Sequence, residues 1–295
     1  MKQVNHWFKK LAFATTLTIA WSGGTITENV RANTAINLNS IEPIEIYVPP
    51  PENTTSGICS PFIEPVINNI IAHPPFNGSK WGILIQSLDG TTLYSHSPDS
   101  YLIPASNMKL LLTAAALQKL DPQGQIRSRS IKEWIIFTNL NSNNDYADIL
   151  LRYLGGSQSV RQALTSLGVD PNGYRIADGS GLSRSNLVTP RAIVSILRAM
   201  YSAKGKDIFL ASLPVAGTSG TLKNRLRQTI AQGHVYAKTG TLKGVRALSG
   251  YVENAQYGTL VFSIISNRGP DGSDTLLVQA IDEIVLRLGS LVSCS

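Results

Sequence analysis

The extended runs of this chain are split between its two ends, and that split restricts the fold more than any other feature. "WGILIQSLDGTTLYSHS" (81–97) holds two extended stretches around Asp89-Gly90, a pair that favours a tight hairpin turn. "HVYAKTGTL" (234–242), "VRALSGYVEN" (245–254) and "GTLVFSIISN" (258–267) read as three more strands. Helical patterns fill the space between, and one helix lies outside each end, over 60–74 and roughly 273–290. Five strands from two distant segments can form one antiparallel sheet. The first and last helices then cover one face and the central helices the other, an α+β architecture.

The central helices have clear boundaries. "PASNMKLLLTAAALQKL" (104–120) is rich in Ala and Leu and is stopped by Asp121-Pro122. "IKEWIIFTNLNSNN" (131–144) is helical until an Asn/Ser cluster breaks it. "DYADILLRYLGG" (145–156) closes on glycines, and "SVRQALTSLGV" (159–169) follows. "YRIADGSGLSRSN" (174–186) begins extended and becomes a glycine-rich loop. "TPRAIVSILRAMYSA" (189–203) has Thr189 as N-cap and Pro190 at its first position.

The N-terminus reads as a processing segment. Lys2, Lys9 and Lys10 precede the apolar run Leu11–Trp21, and Val30 and Ala32 form a cleavage pattern. The apolar run is about half of the roughly 20 residues that span a bilayer, so a cleaved secretory signal over 1–32 is favoured over an anchor. Residues 33–58 are rich in Pro, Asn, Thr and Ser and read as a linker, leaving 59–295 as a single domain. Export permits a disulfide between Cys59 and Cys294, tying the start of the domain to its last turn; two unrelated thiols are the other reading. Neither cysteine has metal-ligand spacing. The net charge of +7 comes without a Lys/Arg block or a basic helix alternating with aromatics, which argues against nucleic acid as a partner.

Three short motifs carry chemistry. Ser106 and Lys109 stand at i and i+3, on one face of a helix start. A serine hydroxyl needs a base, and a lysine serves only if burial or a nearby cation depresses its pKa. Taken alone, such a pair far more often marks a capped helix with a snorkelling lysine than a catalytic site. Ser142-Asn143-Asn144 is the chain's sole Ser-x-Asn and lies in a helix break, where such clusters also serve as caps. Lys238-Thr239-Gly240-Thr241 follows an extended run and places a cation, hydroxyls and a glycine on one strand. That glycine permits close backbone approach to a ligand.

Together and in this order, the three motifs resemble those of penicillin-binding proteins and serine β-lactamases. "DGSGLSR" and "AGTSGTL" narrow the resemblance to the D-alanyl-D-alanine carboxypeptidase/endopeptidase family of peptidase family S13, the class C low-molecular-mass penicillin-binding proteins. The resemblance covers about Trp81 to Leu288. Members of that family usually carry large inserted domains between the first two motifs. Here Ser106 and Ser142 are only 36 positions apart, so those domains are absent.

The resemblance implies a serine β-lactamase/DD-peptidase fold and an acyl-enzyme on Ser106. Lys109 would accept its proton, and Ser142 would relay a proton to the leaving amine, supported by Lys109 and Lys238. Asn144 would hydrogen-bond the substrate's backbone amide. The N–H groups of Ser106 and Thr241 would form the oxyanion hole, while Lys238, Thr239 and Thr241 would hold the terminal carboxylate beside Gly240. The implied partners are peptidoglycan peptide stems, with β-lactams as covalent inhibitors, in the periplasm or cell envelope; no cofactor or metal is required.

Two other hydrolases fit less well. A β-lactamase using a glutamate between the second and third motifs finds none here from Glu133 to Glu253. A Ser-His-Asp hydrolase lacks its G-x-S-x-G elbow, and one of only four histidines is His6 in the signal segment. A penicillin-binding or wall-binding module without turnover is the non-enzymatic alternative.

Overall fold

The structure is a computed structural model, and it describes residues 57–268 and 273–294. The signal reading and the linker reading up to residue 56 fall on residues outside these, whereas Ile58, read as the linker's last residue, pairs as a strand with Leu291.

Five strands form one antiparallel sheet: β1 (Lys80–Ser87), β2 (Thr92–His96), β3 (Val235–Leu242), β4 (Val245–Asn254) and β5 (Gly258–Asn267). Their spatial order is β2-β1-β5-β4-β3, so the N-terminal hairpin joins the C-terminal meander through the β1–β5 pair. Strand side chains alternate between faces. Ile83, Ile85, Leu248, Phe262 and Ile264 therefore pack into one core, and Leu84, Ala247, Tyr251, Val261 and Ile265 into another. Burial on both faces explains why β1 reads as a nearly continuous apolar run.

The first core is closed by α1 (Ile63–Ile71) and α8 (Asp274–Gly289), which contribute Ile63, Ile67, Leu277 and Ile284. The second is filled by α2 (Met108–Lys119), whose residues Met108 to Leu117 are all buried. A helix buried on every side carries no polar face, which accounts for its Ala/Leu composition. Around it stand α3 (Ile131–Leu140), α4 (Asn144–Tyr153), α5 (Ser157–Ser166), α6 (Pro190–Met200) and α7 (Lys206–Ser212). Thr189 caps α6, accepting from the Ala192 N–H at 3.1 Å. Helix α7 was not legible in the sequence, having only seven residues with Gly205 before it, too short for periodicity to stand out; of the short strand pairs only the extended start at Tyr174–Arg175 was read, and it pairs with Leu187–Val188.

The path from Lys109 to Ser142 is direct. After α2 the chain turns at Asp121-Pro122, where Gly124 O and Pro122 O accept from Ile131 N and Lys132 N at 2.8 and 3.1 Å. A capping box between Ser130 and Glu133 starts α3. Helix α3 then packs against α2 and ends at Leu140, where the Asn/Ser cluster begins, delivering Ser142 back to the start of α2.

At the far end of the molecule Ile58–Cys59 pairs in parallel with Leu291–Val292, and a disulfide joins Cys59 to Cys294 with their Cα atoms 5.5 Å apart. It closes a loop of 235 residues. Replacing both cysteines by serine should lower the unfolding free energy by about 2–4 kcal/mol in urea titration of the full chain. An unchanged midpoint would show that the pairing of the ends is held without the bond.

Candidate active site

Ser106 sits in a turn of 3-10 helix, Ala105–Asn107, that leads into α2. Two features fix this turn. Asn107 is fully buried and donates to Ser249 Oγ on β4 at 2.8 Å, which in turn donates to Ser263 Oγ on β5 at 2.9 Å. The turn also lies hard against β3. A Cβ on Gly240 would fall 2.5 Å from the Pro104 carbonyl oxygen. The glycine of the third motif therefore admits the nucleophile's own backbone, where the sequence suggested a ligand.

The Lys109 amine donates to Ser106 Oγ at 2.9 Å, to Asn144 Oδ1 at 2.8 Å and to the Ser180 carbonyl at 2.5 Å. Its three bonds match the three protons of an ammonium. Burial pushes its pKa down to about 8, against the opposing pull of Asp148 and Asp178. Asn144 must turn its oxygen toward the lysine, so its amide N–H₂ is the end left for a ligand.

Ser142 is held in a left-handed conformation at φ +54°, and Ala105, beside the nucleophile, at φ +48°. Non-glycine residues pay for that geometry with strain of order 1–3 kcal/mol each. At Ser142 the geometry is held by α3: the Ser142 N–H donates to Asn139 O at 3.3 Å. Asn139 is buried, and its amide donates to Thr113 Oγ1 on α2 at 3.0 Å and to Ser212 Oγ on α7 at 2.9 Å. Asn143 caps α4 through its side chain, which accepts from Tyr146 N.

Lys238 reaches from β3 to donate to Ser142 Oγ at 2.9 Å and to Thr239 O at 3.0 Å. It is fully buried, and burial together with the neighbouring Lys109 holds its pKa well below the usual lysine range. Among the described residues the Ser142 hydroxyl is bonded to Lys238, not to Lys109 or Ser106. The lysine expected to support Ser142 from α2 instead holds Asn144.

Strand β3 is an edge of the sheet. Alternation of hydrogen bonding along an antiparallel pair points every second N–H away from the partner strand. Ala237 N–H points outward, donating to Pro214 O at 2.9 Å. Thr239 and Thr241 share that parity, so the Thr241 N–H faces the same open edge. Thr239 Oγ1 lies 2.8 Å from Thr221 Oγ1, on a short turn (Gly220–Leu222) packed under the end of α3.

Sequence reasoning singled out no residue of the segments 178–186 and 217–222 for a role. Ser180 and Thr221, which touch the site, come from them. The available signal was the density of glycine and serine in "ADGSGLSRSN" and "AGTSGTL".

A serine and a depressed lysine at a helix start, a second lysine on an edge strand and a Ser-x-Asn turn between them define the serine β-lactamase/DD-peptidase class. The chain belongs to the D-Ala-D-Ala carboxypeptidase 3 (S13) family, whose profile matches residues 64–134 and 124–287. It is 47% identical over 163 residues to the D-alanyl-D-alanine carboxypeptidase of Actinomadura sp. (strain R39), covering 50% of this chain and 30% of that protein. It is 33% identical over 190 residues to the penicillin-sensitive carboxypeptidase A of Dictyostelium discoideum, covering 58% and 36%. The chain thus spans about a third of the length of these relatives. Penicillin binding protein 4 from Haemophilus influenzae superposes with a TM-score of 0.65 at 15% identity, over 76% of this chain and 99% of that one. TLA-1 extended-spectrum β-lactamase does so with 0.65 at 19%, over 78% and 98%. At those identities the two structures speak for the fold.

Asn139→Ala leaves the Thr113 and Ser212 hydroxyls without their shared donor and loosens the end of α3. We expect a loss of about 1–3 kcal/mol in urea unfolding. A variant as stable as the wild type would show that this network does not hold the Ser142 turn.

Proposed function

We propose that this chain is a serine DD-peptidase that cleaves the terminal D-alanyl-D-alanine bond of peptidoglycan stems through an acyl-enzyme on Ser106. The observation that carries this reading is the Lys109 amine, buried, depressed to about 8 and 2.9 Å from Ser106 Oγ.

In the first step neutral Lys109 takes the Ser106 proton as Oγ bonds to the carbonyl carbon of the penultimate D-alanine. The developing oxyanion sits between the N–H groups of Ser106 and Thr241, one at a helix start and one on the open edge of β3. The C–N bond breaks, and the Ser142 hydroxyl, polarised by Lys238, passes its proton to the leaving amine and takes one back from the Lys109 ammonium, which is then neutral again to deprotonate the incoming water. Water then hydrolyses the ester. The substrate's terminal carboxylate lies against Lys238 and the hydroxyls of Thr239 and Thr241, and Asn144 donates its N–H₂ to the substrate's amide carbonyl. A β-lactam carbonyl meets the same serine and blocks it. Export by the 1–32 segment, with 59–295 as the catalytic domain, would bring the enzyme to this substrate in the periplasm or cell envelope. Among the described residues no helix is long and apolar enough to cross a membrane.

The wild type should release D-alanine from a pentapeptide stem and be labelled by a fluorescent penicillin, and Ser106→Ala should do neither. The base must be neutral, so the acylation rate should climb with pH through about 8, the Lys109 value. A rate that falls over that range, or labelling that survives Ser106→Ala, would contradict the mechanism. The short connection of 36 positions between Ser106 and Ser142 favours one second reading, a penicillin-binding module without turnover; labelling with no D-alanine release would select it.

A further inference from the structure

Three oxygens surround the Lys109 amine, and only one has a proton to give. Asn144 Oδ1 and Ser180 O accept and cannot donate, whereas Ser106 Oγ does both. A neutral lysine has two N–H groups and one lone pair. The two pure acceptors take the two N–H groups, which leaves the lone pair on the side of the Ser106 hydroxyl. Without the Ser180 carbonyl the amine can rotate, and the lone pair loses its direction.

The Ser180 carbonyl is itself fixed from outside. Asp148, one turn into α4, receives the N–H groups of Gly179 and Ser180 on a single oxygen, Oδ1, at 2.8 and 2.9 Å. Asp178 closes the rest of the loop, accepting from Gly181 N and Ser183 N, both at 2.6 Å, and from Asn186 Nδ2 at 2.8 Å. Burial opposes its ionisation, but these donors outweigh burial and its pKa is lowered. The loop is wedged between two backbones. A Cβ on Gly179 would lie 2.5 Å from Ala147 O, and one on Gly181, at φ +85°, 2.0 Å from Ala105 O. So the loop fills the gap between α4 and the nucleophile turn, with Ser180 buried inside it.

We propose that Asp148 is a positioning residue of the reaction: through the Gly179 and Ser180 amides it seats the Ser180 carbonyl on Lys109 and aims the amine's lone pair at Ser106. This rests on the reading of Ser106 as nucleophile and Lys109 as base. Three charged groups act around the lysine: Asp148 from α4, Asp178 from the loop and Lys238 from β3. Asp148 thus acts in two separable ways, by geometry through its acceptor oxygen and by charge through its carboxylate.

Two variants separate these. Asp148→Asn keeps an acceptor oxygen and removes the charge. The Lys109 pKa should then fall, and the rising limb of the acylation profile with fluorescent penicillin should move to lower pH. Asp148→Ala removes the acceptor as well, and its plateau rate should drop on the order of tenfold, with Asp148→Asn recovering most of that loss. Wild-type profiles for both variants, or equal thermal destabilisation with no change in limb or plateau, would reduce Asp148 to a structural role and overturn the proposal. If Asp148→Ala does not fold, Asp148→Glu, which keeps the charge but displaces the acceptor oxygen, decides: its plateau should drop with the limb near the wild-type pH, and an unchanged plateau would overturn the proposal. Titration of the Lys109 amine by ¹⁵N NMR in wild type and Asp148→Asn needs no turnover. A downward shift there, in a protein that no penicillin labels, would leave Asp148 in place and reject the peptidase reading; equal titrations in a labelled protein would do the reverse.

Discussion

The contact between the Lys109 amine and Ser106 Oγ is the interaction on which the remaining architecture converges. Its lysine is fully buried, and among the described residues no carboxylate oxygen reaches it within ion-pair distance. An amine in that setting is costly to keep charged, and the molecule meets the cost with neutral acceptors from two other elements, Asn144 on α4 and the Ser180 carbonyl. The result is a base near neutrality. A surface lysine with a carboxylate partner would keep its proton and leave the serine inert.

Four elements must be in register for that contact to exist. Helix α2 supplies Ser106 and Lys109. Helix α3 returns Ser142 and Asn144 to its start. The loop after Tyr174-Arg175 supplies Ser180, and edge strand β3 supplies Lys238 and Thr241. Neutral contacts join the helices and the sheet, the Asn139–Thr113–Ser212 network and the Asn107–Ser249–Ser263 chain, while the Asp148 and Asp178 carboxylates hold the Ser180 loop. Relatives in the family are roughly three times as long as the segment matched here. The compact path through Gly124 and the Ser130 capping box joins α2 to α3 without any further domain between them.

The sheet was legible because its strands are long, apolar and punctuated. The hairpin at Asp89-Gly90 and the meander around Lys243-Gly244 carry their turn residues in plain view, and the predicted boundaries of β4 and β5 coincide with the observed ones. The three motifs were legible because each pairs an unusual residue with an element boundary. What could not be read was the direction of contacts across distant segments. Nothing local to Gly240 says that its missing side chain makes room for Pro104 rather than for a ligand. Nothing near Ser142 says that its hydroxyl meets Lys238 while Lys109 turns to Asn144. The Ser180 carbonyl was invisible for a simpler reason: a main-chain oxygen has no residue type, and only the surrounding glycines and aspartates betray it.

The most direct test is a crystal structure of the chain after reaction with benzylpenicillin. The account predicts an ester between Ser106 Oγ and the opened lactam carbonyl, with its oxygen between the N–H groups of Ser106 and Thr241 and the Lys109 amine still bonded to the Ser180 carbonyl. An adduct on another residue, or an ester oxygen turned away from Thr241, would contradict it.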